Sequence, residues 1–358
     1  MVSAQLYLDR SANSPLIIDL ETQGEVRINS ALDLVLDHAS RWQTFSYTGD
    51  YVLSRCIGNE RKKEVFPILE DLNLEGYRYN IERSDLACFE HAPRLRAVRT
   101  DFFKRSCSEL PWTQLTSLDV GVYEAEDIYL LQQCPSLTVL KLRNYQWSTL
   151  GPISSASLES FTFVCPKERR EEHLLENVFC CFTFPSLAKL VIYSEDSSTT
   201  NLIWPLDAFS AFISRSSCAL TTLSLSSVVI SDVNLIAALR LVPSLTNLFL
   251  DGLEDPEGRS PLTSHFISSM QGSSPTHLVP KLCSLSIKFK GTSFDDVAFI
   301  NMVSSRWTPD RTHAAAIGID CLRSLVLHFL DREVDEDVYR PLWHLDEMGM
   351  RVVITSKK

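Results

Sequence analysis

Long apolar runs are missing from this sequence, and so is an excess of basic charge. No stretch reaches the roughly 20 consecutive apolar residues that a membrane-crossing helix needs. The opening Met-Val-Ser-Ala-Gln-Leu-Tyr-Leu-Asp-Arg also lacks a basic region followed by an apolar one, so neither a membrane partner nor secretion is expected. The formal net charge of -11 argues against nucleic acid as a partner, because phosphate binding requires a concentrated basic face. Arg61-Lys62-Lys63 and Arg169-Arg170 stand beside glutamates and read as solvated faces. Glycine is scarce, with 12 in 358 residues. The phosphate cradles G-x-x-x-x-G-K and G-x-G-x-x-G and the serine elbow G-x-S-x-G are all absent, which removes the commonest signals of nucleotide binding and acyl transfer.

The 10 cysteines include no C-x-x-C pair, and only Cys180 and Cys181 are adjacent, so no zinc site is expected. No asparagine stands in an N-x-S/T context, which agrees with a reducing intracellular address, cytoplasmic or nuclear. Cys134, Cys218 and Cys283 lie at or near strand starts and read as core thiols. His173, in Glu-Glu-His-Leu-Leu-Glu, has no second histidine at zincin spacing and reads as a surface residue. Asp251 to Gly258 lacks the alternate-residue carboxylates of a calcium loop. Glu333, Asp335, Glu336 and Asp337 read as the acidic first turn of a helix rather than a catalytic pair. No catalytic, cofactor or metal residue is predicted.

What is present is a repeated strand motif. Residues 220–250 carry L-x-x-L-x-L twice, at Leu220, Leu223, Leu225 and at Leu245, Leu248, Leu250, about one leucine-rich-repeat period apart. Between the copies, Ser231 and Asp232 can cap a helix with Val233, Ile236, Ala237 and Leu241 at helical spacing, and Pro243 stops it. The same three anchors recur from Leu69, Leu95, Leu115, Leu137, Leu158, Leu187, Leu282 and Leu322, with Val98 and Thr100 completing the Leu95 copy. Pro-Ser-Leu introduces the copies after Pro135, Pro185 and Pro243. Trp42, Phe45 and Tyr47 form a degenerate first copy.

Intervals of about 20 to 40 residues exceed those of a uniform repeat. They hold insertions: a charged helix at Lys167 to Phe179, an Asp- and Pro-rich segment at Asp251 to Pro280, and a helix near Phe294 to Trp307. The position that usually holds a ladder Asn or Cys is occupied by Tyr77, Tyr123, Tyr145, Val228, Leu253 and Leu330, so apolar packing should replace that ladder. The expected fold is α/β, a leucine-rich-repeat-like solenoid with a curved parallel sheet and helices of unequal length on the convex side. Residues 1–48 are an N-terminal cap region of strand, helix and degenerate repeat. Residues 49–358 are the irregular solenoid, closed by an edge strand at Gly349 to Ile354.

Anchors facing the core leave the intervening residues on the concave face. That row starts acidic at Asp71, Asn73 and Glu75, turns basic at Arg99, Lys141 and Arg143, and carries the aromatics Tyr193 and Phe249. The candidate partner-binding face is Lys141, Arg143, Lys189, Tyr193, Ser224, Asn247, Phe249 and Lys288. Phe249 is its expected anchor, the alternative being that it packs under a loop.

Leu8-Asp-Arg-Ser-Ala-Asn-Ser-Pro-Leu-Ile-Ile-Asp-Leu20, Asp37-His-Ala-Ser-Arg-Trp-Gln-Thr-Phe45 and the Pro-Ser-Leu-x-x-Leu-x-Leu lines resemble the F-box proteins of mushroom-forming fungi, in their leucine-rich-repeat-like C-terminal region. The resemblance implies the substrate-recognising half of a ubiquitin-ligase receptor. In that family an F-box precedes the Ser-Pro-Leu segment and docks the Skp adaptor. Here only about ten residues precede it, so Skp binding is not expected of this chain. The expected function is a non-catalytic protein-interaction module without cofactors. The alternatives are a stand-alone repeat scaffold or truncated fragment without a ligase role, and a hydrolase or transferase on a repeat scaffold.

Overall fold

In the computed structural model, residues 2–22, 30–49, 66–75, 86–103, 110–122, 125–143, 151–165, 173–194, 202–254, 257–272, 277–289, 294–330 and 332–356 are described. They form two compact units, Met1–Leu158 and Glu159–Lys358.

The first unit is a six-stranded parallel sheet in sequential order: β1 (Leu16–Thr22), β2 (Trp42–Gly49), β3 (Asp71–Glu75), β4 (Ala97–Phe103), β5 (Ser117–Val122) and β6 (Val139–Arg143). Helix α1 (Val2–Arg10) precedes it and α2 (Ser30–Leu36) joins β1 to β2. Among the described residues, the segments leading into β4, β5 and β6 hold 310 turns, the longest being Ala125–Gln133. The apolar spacing of Ile128, Leu130 and Leu131 predicts a helix there, and all three are buried. The 310 winding covers about 2.0 Å per residue against 1.5 Å in an α-helix, which suits a short return.

The second unit holds seven parallel strands, again sequential: β7 (Ser160–Cys165), β8 (Lys189–Ser194), β9 (Thr222–Ser226), β10 (Asn247–Asp251), β11 (Ser284–Phe289), β12 (Ser324–Phe329) and β13 (Arg351–Ser356). The returns are α3 (Leu174–Cys181), α4 (Leu206–Ser216), α5 (Asp232–Arg240), α6 (Ser264–Ser269), α7 (Asp296–Arg306), α8 (Arg311–Ile317) and α9 (Glu336–Glu347), of unequal length. Each of α3 to α6 packs against the next helix, and α9 packs on α7. This is an α/β repeat fold of solenoid type, and no described helix is long and apolar enough to cross a membrane.

Every copy of the motif forms a strand, and its anchors are buried. Leu223, Leu248, Leu285 and Leu325 are all within 1% of full burial, each contributing about 2 kcal/mol. Trp42, Phe45 and Tyr47 are fully buried too, Trp42 stacking on Phe45 at 4.1 Å. The first anchor sits in a tight turn, as in Leu245 N–H to Val242 C=O at 3.1 Å. The next two backbone N–H groups then share one carbonyl a repeat back: Thr246 and Asn247 both donate to Thr221, and Thr221 and Thr222 to Ala188.

Val228 and Leu253 are buried where a ladder asparagine would stand, whereas Tyr77, Tyr123 and Tyr145 lie outside the described residues. A different polar ladder runs just before the strands. Thr138, Thr221 and Thr246 each donate a hydroxyl to a carbonyl of the preceding repeat, at 3.0 to 3.1 Å, and Ser136 and Ser244 do likewise at 2.9 and 2.8 Å. Pro-Ser-Leu recurs because its serine hydroxyl reaches back one turn. Thr246→Val keeps the shape and removes the hydroxyl, so it should cost about 1 kcal/mol in urea unfolding; an unchanged midpoint would remove the ladder's energetic role.

Helix α5 corrects one reading. Its N-cap is Ser231, whose hydroxyl accepts from Asn234 N–H at 3.2 Å, but the buried stripe is Leu235, Ile236, Ala238, Leu239 and Val242, while Val233 is 61% exposed. The segment is apolar almost all round, so the neighbouring helices choose the face. Asp335 caps α9 by accepting from Asp337 and Val338 N–H, and Glu336 and Asp337 form its acidic first turn. Among the described cysteines, Cys134, Cys180, Cys218, Cys283 and Cys321 are free thiols. Burial pushes Cys134 up to about 12, whereas Cys218 and Cys283 are half-buried rather than core.

Candidate functional site

The eight candidate residues divide between the units: Lys141 and Arg143 belong to the first, the other six to the second.

In the first unit the outward residues of neighbouring strands meet in register: Asp71 with Ala97, Arg99 with Asp119, and Asp119 with Lys141. Asp119 therefore collects cations, with Arg143 Nε at 2.6 Å, Lys141 Nζ at 3.2 Å and Arg99 Nε at 3.4 Å. Arg143 also donates to Asp101 at 2.9 Å, and its side chain is only 11% exposed. The basic middle of the row is thus largely neutralised by its own carboxylates, and Arg143 serves the sheet more than the surface. Arg99, Asp119 and Lys141 occupy the same motif position in three consecutive copies. That alternation of sign is visible in the sequence once in-register stacking is assumed.

The second unit presents three outward rows across its paired strands. One runs Lys189, Thr222, Asn247, Ser284, Ser324, Arg351, and the next Val191, Ser224, Phe249, Ser286, Val326, Val353. The third runs Ser226, Asp251, Lys288, His328, Thr355. Phe249 is 38% exposed, with the short side chains of Ser224 and Ser286 on either side, so its ring stands above both. Val191, Val326 and Val353 are half-buried and carry the apolar strip onward at alternate or adjacent strands. Asn247 Nδ2 donates to Thr246 Oγ1 at 2.9 Å and to Thr222 Oγ1 at 3.3 Å. Lys288 Nζ pairs with Asp251 at 3.0 Å, an exposed ion pair worth at most about 1 kcal/mol and easily exchanged for a partner's charge. Lys189 is exposed and Tyr193 half-buried at the first strands of the sheet.

The face thus combines one exposed ring, hydroxyls in register and exchangeable charges. The valines of the central row were not singled out from the sequence, because valine is ordinary in any strand. Among the described residues no group of three His, Cys, Asp or Glu side chains could hold a metal ion. The His173 side chain is 75% exposed, and its Nδ1 lies 2.8 Å from the Glu176 carboxylate.

No family model matches the chain, and no curated protein matches it. Among solved structures, a protein from Bacteroides fragilis aligns over 82% of this chain and 83% of its own, with 12% identity and a TM-score of 0.30, a likeness too loose to carry an argument.

Proposed function

We propose that the chain is a non-catalytic protein-interaction module, comparable to the substrate-recognising part of F-box ubiquitin-ligase receptors, and that it engages its partner through the outward face of the second unit. The observation that carries this reading is Phe249, 38% exposed on a sheet face between two serines. An aromatic ring raised above a polar surface has the character of an interface anchor, which gains its energy when a partner covers it. Residues around it supply hydrogen bonds and exchangeable charge of the kind found at interface rims.

The test is to place the photo-crosslinker p-benzoylphenylalanine at position 249, in cells that make the protein, with the exposed Val233 position on α5 as the matched control. Covalent adducts to a small set of proteins at 249 and none at 233 are expected. Adducts at neither position, or equally at both, sink the reading. Phe249→Asp should then weaken the captured partner at least roughly tenfold, as interface anchors do, with an unchanged thermal midpoint.

A further inference from the structure

The outward face of the Glu159–Lys358 unit is not neutralised in the way Asp119 neutralises the first. In the row from Lys189 to Arg351, the residues between, Thr222, Asn247, Ser284 and Ser324, are uncharged and carry a hydroxyl or an amide. Both end residues are exposed, and among the described residues neither has an ion-pair partner. Lys288 adds a third cation, and Asp251, paired with it, is the one carboxylate of the three rows. Acidic residues of this unit stand elsewhere: Asp207, Asp232, Asp296, Glu336 and Asp337 are in the first turns of α4, α5, α7 and α9, where the helix dipole favours them. A chain of net charge -11 thus keeps a sheet face on which positive charge is in excess.

Spacing narrows the class of occupant. Neighbouring strands lie about 4.8 Å apart, so Lys189 on β8 and Arg351 on β13, five strands along, are separated by roughly 24 Å. Phe249 on β10 stands one row over, roughly 10 Å from the Lys189 strand and roughly 14 Å from the Arg351 strand. An extended chain advances about 3.3 Å per residue. It would meet Lys189, Phe249 and Arg351 at about its first, fourth and eighth residues. Nucleic acid fits this row poorly, because a phosphate strand carries a charge at every nucleotide and the middle of the row is neutral.

Resting on the reading of this face as the partner site, we propose that the partner presents an extended acidic segment laid across the strands. Two carboxylates about seven residues apart engage Lys189 and Arg351, and an apolar side chain between them covers Phe249.

The probe is a random dodecapeptide display library panned on the full chain, with Phe249→Asp and the pair Lys189→Glu and Arg351→Glu panned in parallel. Recovered peptides should carry an apolar residue flanked by acids roughly six to eight residues apart. They should be lost with Phe249→Asp and weaken roughly tenfold on the charge-reversed pair, the joint effect of two exposed ion pairs. Thermal midpoints should not change, since all three side chains are exposed. Peptides lost with Phe249→Asp but indifferent to charge reversal leave the partner face standing and overturn the acidic segment. Peptides indifferent to every substitution, or no enrichment, overturn both. Displacement of the peptides by oligothymidylate at equal concentration assigns the face to nucleic acid and overturns the proposal too. Should the reversed pair lower the thermal midpoint, Lys189→Gln with Arg351→Gln decides by the same comparison.

Discussion

Arg306→Met is expected to destabilise the Glu159–Lys358 unit by about 3–5 kcal/mol, the cost typical of disrupting a buried charged network. Arg306 ends α7 and is fully buried. Its guanidinium donates to three backbone carbonyls: Met270 at 2.5 Å, Val279 at 3.2 Å, and Leu278. Those carbonyls belong to the end of α6 and to the turn that introduces the Leu282 anchor, so one side chain fastens the longest insertion to the repeat that follows. Methionine matches the length but leaves three buried acceptors open. Arg306→Lys keeps the charge, lacks the planar fork, and should fall between the two.

Burial lowers the Arg306 pKa to about 10. A base whose folded pKa is depressed costs stability wherever it is charged, and the cost is relieved only as pH rises from about 10 toward the unfolded value. The difference between wild type and variant should therefore stay flat from about pH 6 to 9. Urea unfolding of both proteins checks the magnitude; a difference under about 1 kcal/mol would show that the carbonyls find other donors.

Gly121→Ala should cost about 3 kcal/mol, at the upper end for forcing atoms into a packed site. A Cβ there would lie 2.2 Å from the Asp101 carbonyl oxygen and 2.9 Å from its carbon, both backbone atoms that cannot swing aside. The close approach arises where the register of β4 against β5 shifts between Thr100 and Phe103. Asp101 also holds Arg143, so the same change should loosen the charge network and raise hydrogen exchange in β4 and β5. Gly151→Ala is the control, because its Cβ would meet only the Tyr129 hydroxyl at 3.3 Å; it should cost under about 1 kcal/mol. Equal effects for the two glycines would refute the steric account.

Much of the fold was legible because its signal is periodic. The anchors recur with one spacing, and a residue that must be buried in every copy leaves a trace that survives insertions of any length. Phe249 was legible for the same reason, as an aromatic on the outward phase of a strand. The threonine and serine ladder before the strands was written in Leu137-Thr138, Leu220-Thr221 and Leu245-Thr246, yet hydroxyl residues are common in turns, and only the carbonyl of the preceding repeat gives them a purpose.

Three things awaited the tertiary structure. Helix α5 offers two apolar stripes, and packing against α4 and α6 selected the one with Leu235 and Leu239. The basic residues Lys141 and Arg143 looked available until parallel pairing set Asp119 beside them. Lys189 and Arg351 stand at the two ends of one row, a relation between separate repeats that no local pattern carries. The sequence by itself determined the strands, their inward and outward phases and the order of the repeats, because those follow from spacing along one chain. The tertiary structure decided which charges are spent within the sheet, which are left facing outward and which helix faces are buried, because those depend on neighbours brought together from distant repeats.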